Sequence, residues 1–107
     1  MRSWRGIAAA VLLAAALGAC SPPPPRVVTV AIKDMAYAQP TIDVHPGDTV
    51  RWVNQDIFVH SVTAVGGAFD LDLKVGGSAQ TVFRHAGEVD YYCRYHPGMK
   101  GRVLVTD

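Results

Sequence analysis

Val27-Val28-Thr29-Val30-Ala31-Ile32-Lys33 sets Val28, Val30 and Ile32 on one side of the chain and Thr29, Ala31 and Lys33 on the other. A period of two marks a strand with one buried face, because successive Cβ atoms point to opposite faces. The same pattern returns downstream. Pro40 can open an edge strand but cannot sit inside a central one, and Thr41-Ile42-Asp43-Val44 alternates after it. His45-Pro46-Gly47-Asp48 reads as a turn. Thr49 to Asn54 forms a strand around Trp52, and Phe58 to Ala64 a further one rich in β-branched residues. Gly66-Gly67 and Gly76-Gly77 punctuate the next stretch, where residues 69–74 leave room for a short helical turn. Ala79 to Phe83 and Glu88 to Cys93 are strands joined through His85-Ala86-Gly87, and Gly101 to Thr106 closes with alternating valines. Short strands at regular spacing with Gly/Pro turns predict an all-β antiparallel sandwich or barrel. No internal repeat is present.

Upstream the composition changes. Ser21 to Pro25 carries four consecutive prolines, which favour extended polyproline II and make a semi-rigid spacer. Before it, Arg2 and Arg5 precede the unbroken apolar run Ile7 to Leu17. That run is too short for a bilayer span, which needs roughly 20 apolar residues, and fits the h-region of a signal peptide. It ends in Leu17-Gly18-Ala19-Cys20, which resembles the bacterial lipobox. By that resemblance Cys20 receives the lipid and becomes the new N-terminus; simple cleavage after small residues is the alternative. Multiple acyl chains anchor a protein stably where one would not. Ser21 after the cysteine resembles an outer-membrane sorting residue in a cell with two membranes. The expected organisation is a signal peptide over 1–19, a lipidated cysteine and proline linker over 20–26, and one domain over 27–107. About 80 residues is the small end for a self-sufficient core, and an apolar content of 50% can fill one.

Charge excludes one class of function. Losing residues 1–19 removes Arg2 and Arg5 from ten basic residues and no acid, leaving eight against nine and a mature charge of −1. A nucleic-acid binder would show a basic stripe or a strongly positive domain.

The chemistry concentrates in Tyr92-Cys93-Arg94-Tyr95-His96-Pro97-Gly98-Met99. Thiolate, imidazole and thioether follow one another at three-residue steps directly after a strand, and a tight loop there can aim all three at one point. Thiolate and thioether are soft donors that favour copper(I), and imidazole serves both copper oxidation states. One more histidine completes a His₂Cys set with a weak axial Met, the ligand set of a type 1 (blue) copper ion. Four histidines exist. His96 is used, and His45 and His85 lie in turns, as solvated residues do. His60 is the candidate, an imidazole that shares a strand face with Phe58 and Val62 in the run Phe58-Val59-His60-Ser61-Val62, although a lone histidine on such a face is more often an ordinary core residue.

Other readings of these residues are weaker. Haem attachment needs C-x-x-C-H, and the second cysteine is missing. Structural zinc sites draw on two or more Cys/His pairs. A Cys93–His96 nucleophilic pair gives Met99 no role, and Met99 as core filler is the alternative for that residue alone. A Cys20–Cys93 disulfide suits an exported protein, but lipidation of Cys20 would consume it.

From Met35 to Val105 the sequence resembles the cupredoxins, the plastocyanin and azurin group, and within it the amicyanin branch with its two-residue gaps between Cys93, His96 and Met99. Met35-Ala36-Tyr37, Pro40, Val44, Gly47-Asp48-Thr49-Val50, Trp52-Val53-Asn54 and His60 fall in the family's first ligand region. Gly87, Tyr91, Cys93, His96-Pro97, Met99 and Gly101 fall in its second. Residues 66–80 match weakly. The resemblance implies a Greek-key sandwich of about eight strands with a single copper site at one end, and a monomeric electron carrier with redox protein partners and no enzymatic activity. It implies His60, Cys93, His96 and Met99 as ligands, Asn54 and Ser61 as residues supporting them from behind, and His96, Pro97 and Gly98 as the surface through which electrons pass. Copper storage or delivery is the alternative use of such a site. Many members carry asparagine after the first histidine to bridge the two ligand loops; here that residue is Ser61, whose hydroxyl is shorter. Arg94, Lys100 and Arg102 cluster nearby and are expected either to steer an acidic partner or to be a solvated rim.

Overall fold

A computed structural model describes residues 23–107. The signal peptide over 1–19, Cys20 and Ser21 lie outside the described residues. Nine strands follow one another: β1 (Val27–Lys33), β2 (Ala36–Tyr37), β3 (Thr41–Val44), β4 (Thr49–Asn54), β5 (His60–Ala64), β6 (Asp70–Leu73), β7 (Ser78–Val82), β8 (Gly87–Cys93) and β9 (His96–Val105). They form two sheets, ordered β2-β1-β4-β7 and β3-β9-β8-β5-β6, so the sandwich expected from alternation is the fold. Residues 70–73, in the stretch that left room for a helical turn, pair instead as β6 with β5. The alternation of Asp70-Leu71-Asp72-Leu73 explains this, with Leu73 buried and both aspartates exposed.

The sheets are mixed. β1 runs parallel to β4 and β3 runs parallel to β9, while the remaining pairs are antiparallel. Parallel neighbours arise because the chain changes sheets between them, which a run of simple hairpins would not do. The count exceeds eight because a turn at Asp34 and Met35 splits β2 from β1. Both turn residues have positive φ, 52° and 61°, a conformation that side chains other than glycine adopt at a cost.

Alternation fills the core. Val30 and Ile32 from β1, Val50 and Trp52 from β4, Val44 from β3, and Val103 and Val105 from β9 are buried together. Full burial of one such aliphatic side chain contributes about 1.5–3 kcal/mol. Trp52 and Tyr91 pack edge to face at 5.4 Å, and Trp52 Nε1 donates to the Tyr91 hydroxyl at 3.3 Å. Burial pushes that phenol up to about 12, against a smaller opposing effect of the indole N–H. The Tyr91 ring lies against the backbone of Gly101, where a Cβ would overlap it. That glycine is therefore required by close approach.

Strand β5 differs from its neighbours. All five of its residues are buried. Its polar members must then find partners inside the protein. They do, since no buried side-chain nitrogen or oxygen among the described residues lacks a hydrogen bond.

Candidate metal centre

β5 begins at His60, so Phe58 and Val59 lie before the strand and are exposed rather than forming its apolar face. His60 itself is fully buried. Buried Asn54 shapes the approach to it. Its amide nitrogen donates to the carbonyls of Phe58 at 2.8 Å, Leu73 at 3.1 Å and Lys74 at 3.2 Å, and its oxygen accepts from Asp56 N–H at 3.0 Å. Asn54 thus fixes the path of residues 55–59 that delivers His60.

The second group of residues comes from a hairpin rather than a free loop. Cys93 ends β8 and His96 opens β9, the two are register partners, and only Arg94 and Tyr95 turn the chain between them. Met99 lies within β9 and is buried. Cys93 is a free, fully buried thiol, and His96 is half-buried with Pro97 and Gly98 exposed beside it.

Three donor atoms converge. Cys93 Sγ lies 3.7 Å from His60 Nδ1 and 3.9 Å from His96 Nδ1, and one ligand atom from each residue falls within 4.8 Å of the others. Neither His45 nor His85 joins this group; both are exposed in turns. The rings of His60 and His96 are 5.2 Å apart, and Phe58 meets the His96 ring edge to face at 6.2 Å.

The surroundings prepare this cluster for a cation. Asp56 Oδ2 lies 2.8 Å from His60 Nε2. A carboxylate there accepts a hydrogen bond from Nε2–H, the tautomer that leaves the Nδ1 lone pair facing Cys93. The contact with His60, followed by the Met35 N–H at 2.9 Å, holds the Asp56 carboxyl below the usual range. The Ser61 N–H donates to Cys93 Sγ at 3.3 Å, which stabilises a thiolate. The hydroxyl of buried Tyr37 donates to the Ser61 carbonyl at 2.6 Å. Burial foremost, then charge interactions with Cys93 and Tyr91, raise the Tyr37 phenol far above its ordinary value, so it remains a donor. The Arg94 N–H donates to Ser61 Oγ at 2.8 Å. Ser61 therefore joins the two ligand segments through its hydroxyl and its peptide N–H, as short as it is.

Sequence reasoning missed Asp56 and Tyr37. A carboxylate four residues before the candidate histidine was a usable signal for Asp56. Tyr37, which arrives from β2, lies in the run Met35-Ala36-Tyr37 that carries the resemblance, but that run gave it no role. Of the three cations expected either to steer a partner or to form a solvated rim, two are paired: Arg94 with Asp70 and Asp72, and Arg102 with Glu88 and Asp90. Among the described residues, Lys100 makes no ion pair.

A profile of copper binding proteins of the plastocyanin/azurin family matches residues 26–106. Amicyanin from Paracoccus versutus is 35% identical over 88 residues, 77% of this chain and 67% of that protein. Amicyanin from Paracoccus denitrificans is 34% identical over 84 residues, 64% of its length, so the chain spans about two thirds of these relatives. Amicyanin-alpha from Methylorubrum extorquens is 34% identical over 104 residues, covering 92% of this chain and 87% of that one. A solved structure of an oxidized amicyanin mutant superposes with a TM-score of 0.68 at 34% identity, covering 74% of this chain and 81% of that one.

Proposed function

The chain belongs to the plastocyanin/azurin family of copper-binding proteins, and from that premise we propose that it is a type 1 (blue) copper protein carrying single electrons, not an enzyme. The observation that carries this is the convergence of one ligand atom each from His60, Cys93 and His96 within 4.8 Å. The donors fit copper chemically, since one thiolate with two neutral imidazoles suits both oxidation states. His60, Cys93 and His96 would hold the ion, and the buried thioether of Met99 would supply a further, weaker donor. Bound there, copper supplies a one-electron couple.

The residues do the rest. Asp56 orients His60, the Ser61 N–H offsets charge on Cys93 Sγ, and both strands hold the ligands in place. A site so fixed resists rearrangement when charge changes. It also favours keeping copper over surrendering it, which supports the carrier reading over storage or delivery. His96, half-buried beside exposed Pro97 and Gly98, is the route for electrons to redox protein partners. A patch of that size suits weak, brief encounters. The domain acts as a monomer, without nucleic acid.

The domain over 27–107 follows a signal peptide over 1–19 and a linker over 20–26. We assign Cys20 as a lipid anchor holding the protein at the periplasmic or cell-surface side of a membrane, the outer one in a Gram-negative cell. One structural feature supports that arrangement. Arg26 is tied to Asp48 at the start of β1, and the far end of β1 meets the segment that leads to His60. Seven residues of strand separate the two ends by about 20 Å. A tether at Arg26 therefore leaves the His96 end free to meet partners.

Loading with copper(II) tests the central reading. An intense thiolate-to-copper charge-transfer band is expected, and a colourless copper complex overturns the assignment.

A further inference from the structure

Arg94 is fastened to the β5–β6 hairpin twice. Its backbone N–H donates to Ser61 Oγ at 2.8 Å, and its Nε donates to Asp70 Oδ1 at 2.8 Å. Between these points Ser61 Oγ lies 2.9 Å from Thr63 Oγ1, and Thr63 Oγ1 donates to Asp70 Oδ1 at 2.8 Å. Four residues thus close a ring of hydrogen bonds beside the candidate copper site.

Donor and acceptor chemistry fixes the direction of every bond in it. An ionised carboxylate only accepts. The Arg94 guanidinium, then the Thr63 hydroxyl, hold Asp70 below the usual carboxylate range. Thr63 has one O–H and spends it on Asp70, so it must accept from Ser61. Ser61 then spends its O–H on Thr63 and keeps lone pairs for the Arg94 N–H. The opposite order would set the Ser61 O–H against the Arg94 N–H, donor against donor.

We infer that Asp70, acting through Thr63 and Ser61, is a positioning residue for the sulfur of Cys93. The ring holds the Ser61 residue whose N–H reaches Sγ at 3.3 Å, and it holds the peptide that follows Cys93. Asp72 extends the hold, accepting from Arg94 Nη2 at 2.6 Å and from the Tyr95 hydroxyl at 2.9 Å. Both residues of the Cys93–His96 turn are therefore tied to β6. Exposed ion pairs contribute little singly, but oriented bonds in a chain strengthen one another. A serine can bridge the ligand segments because Thr63 and Asp70 aim its hydroxyl.

The redox part of this inference rests on the copper reading, whereas the ring itself does not, and the test separates them. Thr63→Val removes the relay with little change of shape, Thr63→Ser keeps it, and Asp70→Ala removes its exposed end. In the metal-free protein, amide hydrogen exchange at Arg94 should quicken about tenfold in Thr63→Val and Asp70→Ala, with Val50 unchanged and Thr63→Ser like the parent. In the copper-loaded protein the same two variants should shift the reduction potential and the thiolate-to-copper band together, and Thr63→Ser should restore both. Unchanged exchange at Arg94 overturns the ring, whatever the colour of the parent. Changed exchange with an unmoved potential and band overturns the positioning role. A parent that takes up copper without colour overturns the copper reading and the redox role with it. Should Thr63→Val fail to fold, Asp70→Ala carries the same comparison, because its side chain is half exposed.

Discussion

Asp56 Oδ2 sits 2.8 Å from Nε2 of His60, the ring nitrogen opposite the one that faces Cys93. The same oxygen accepts the Met35 N–H, so a residue with positive φ in the β1–β2 turn helps hold the carboxylate that holds the ligand. Asp56→Ala should leave the fold intact and weaken copper binding by about 10–100-fold, the usual cost of losing a partner behind a ligating histidine. A competition titration reads this directly, and unchanged affinity would remove Asp56 from the site.

Met99→Ala should raise the reduction potential while most of the blue colour remains, because an axial thioether is a weak ligand. The same change opens a cavity in a buried position and should cost about 2–5 kcal/mol in denaturant unfolding. Complete loss of copper binding would contradict an axial role.

Asp48 links stability to pH. The backbone N–H of His45 foremost, then that of Arg26, hold its buried carboxyl below the usual range, each donating at 2.8–2.9 Å. A depressed folded-state pKa means the unfolded chain takes up the proton first. Its stabilisation is therefore fully present above the ordinary value near 4 and is lost as pH falls through the lower, folded value. Asp48→Asn should cost about 1.5–3 kcal/mol at pH 7. Thermal melts of the two proteins should converge in strong acid, and an equal gap at every pH would count against the linkage.

Gly101→Ala should destabilise by at least 1–3 kcal/mol, the range for overpacking a filled site, since the new methyl meets the Tyr91 ring. Chemical denaturation measures the difference. A neutral result would show that Tyr91 can leave its place against Trp52.

Cys20→Ser should release the protein from membranes on fractionation. Persistent membrane association would assign the anchor to another segment.

The sandwich was legible because burial of one sheet face is written locally, in alternations such as Val28-Val30-Ile32. Parallel pairing of β1 with β4 was not legible, because nothing within either strand records which sheet its neighbour joins. The weak match over residues 66–80 concealed the most. It contains β6, whose Asp70 and Asp72 fasten the Cys93–His96 turn.

The sequence alone put two of the candidate donors side by side. Cys93 and His96 lie so close along the chain that a tight turn brings thiol and imidazole together, as their pairing across β8 and β9 shows. Tertiary structure decided what stands behind them. Tyr37 and Asp70 reach the site from β2 and β6. Strand register and sheet order bring these groups within hydrogen-bond distance across up to 33 residues of chain, as Ser61 and Arg94 show. Such contacts depend on packing over the whole sandwich, and no local spacing encodes them.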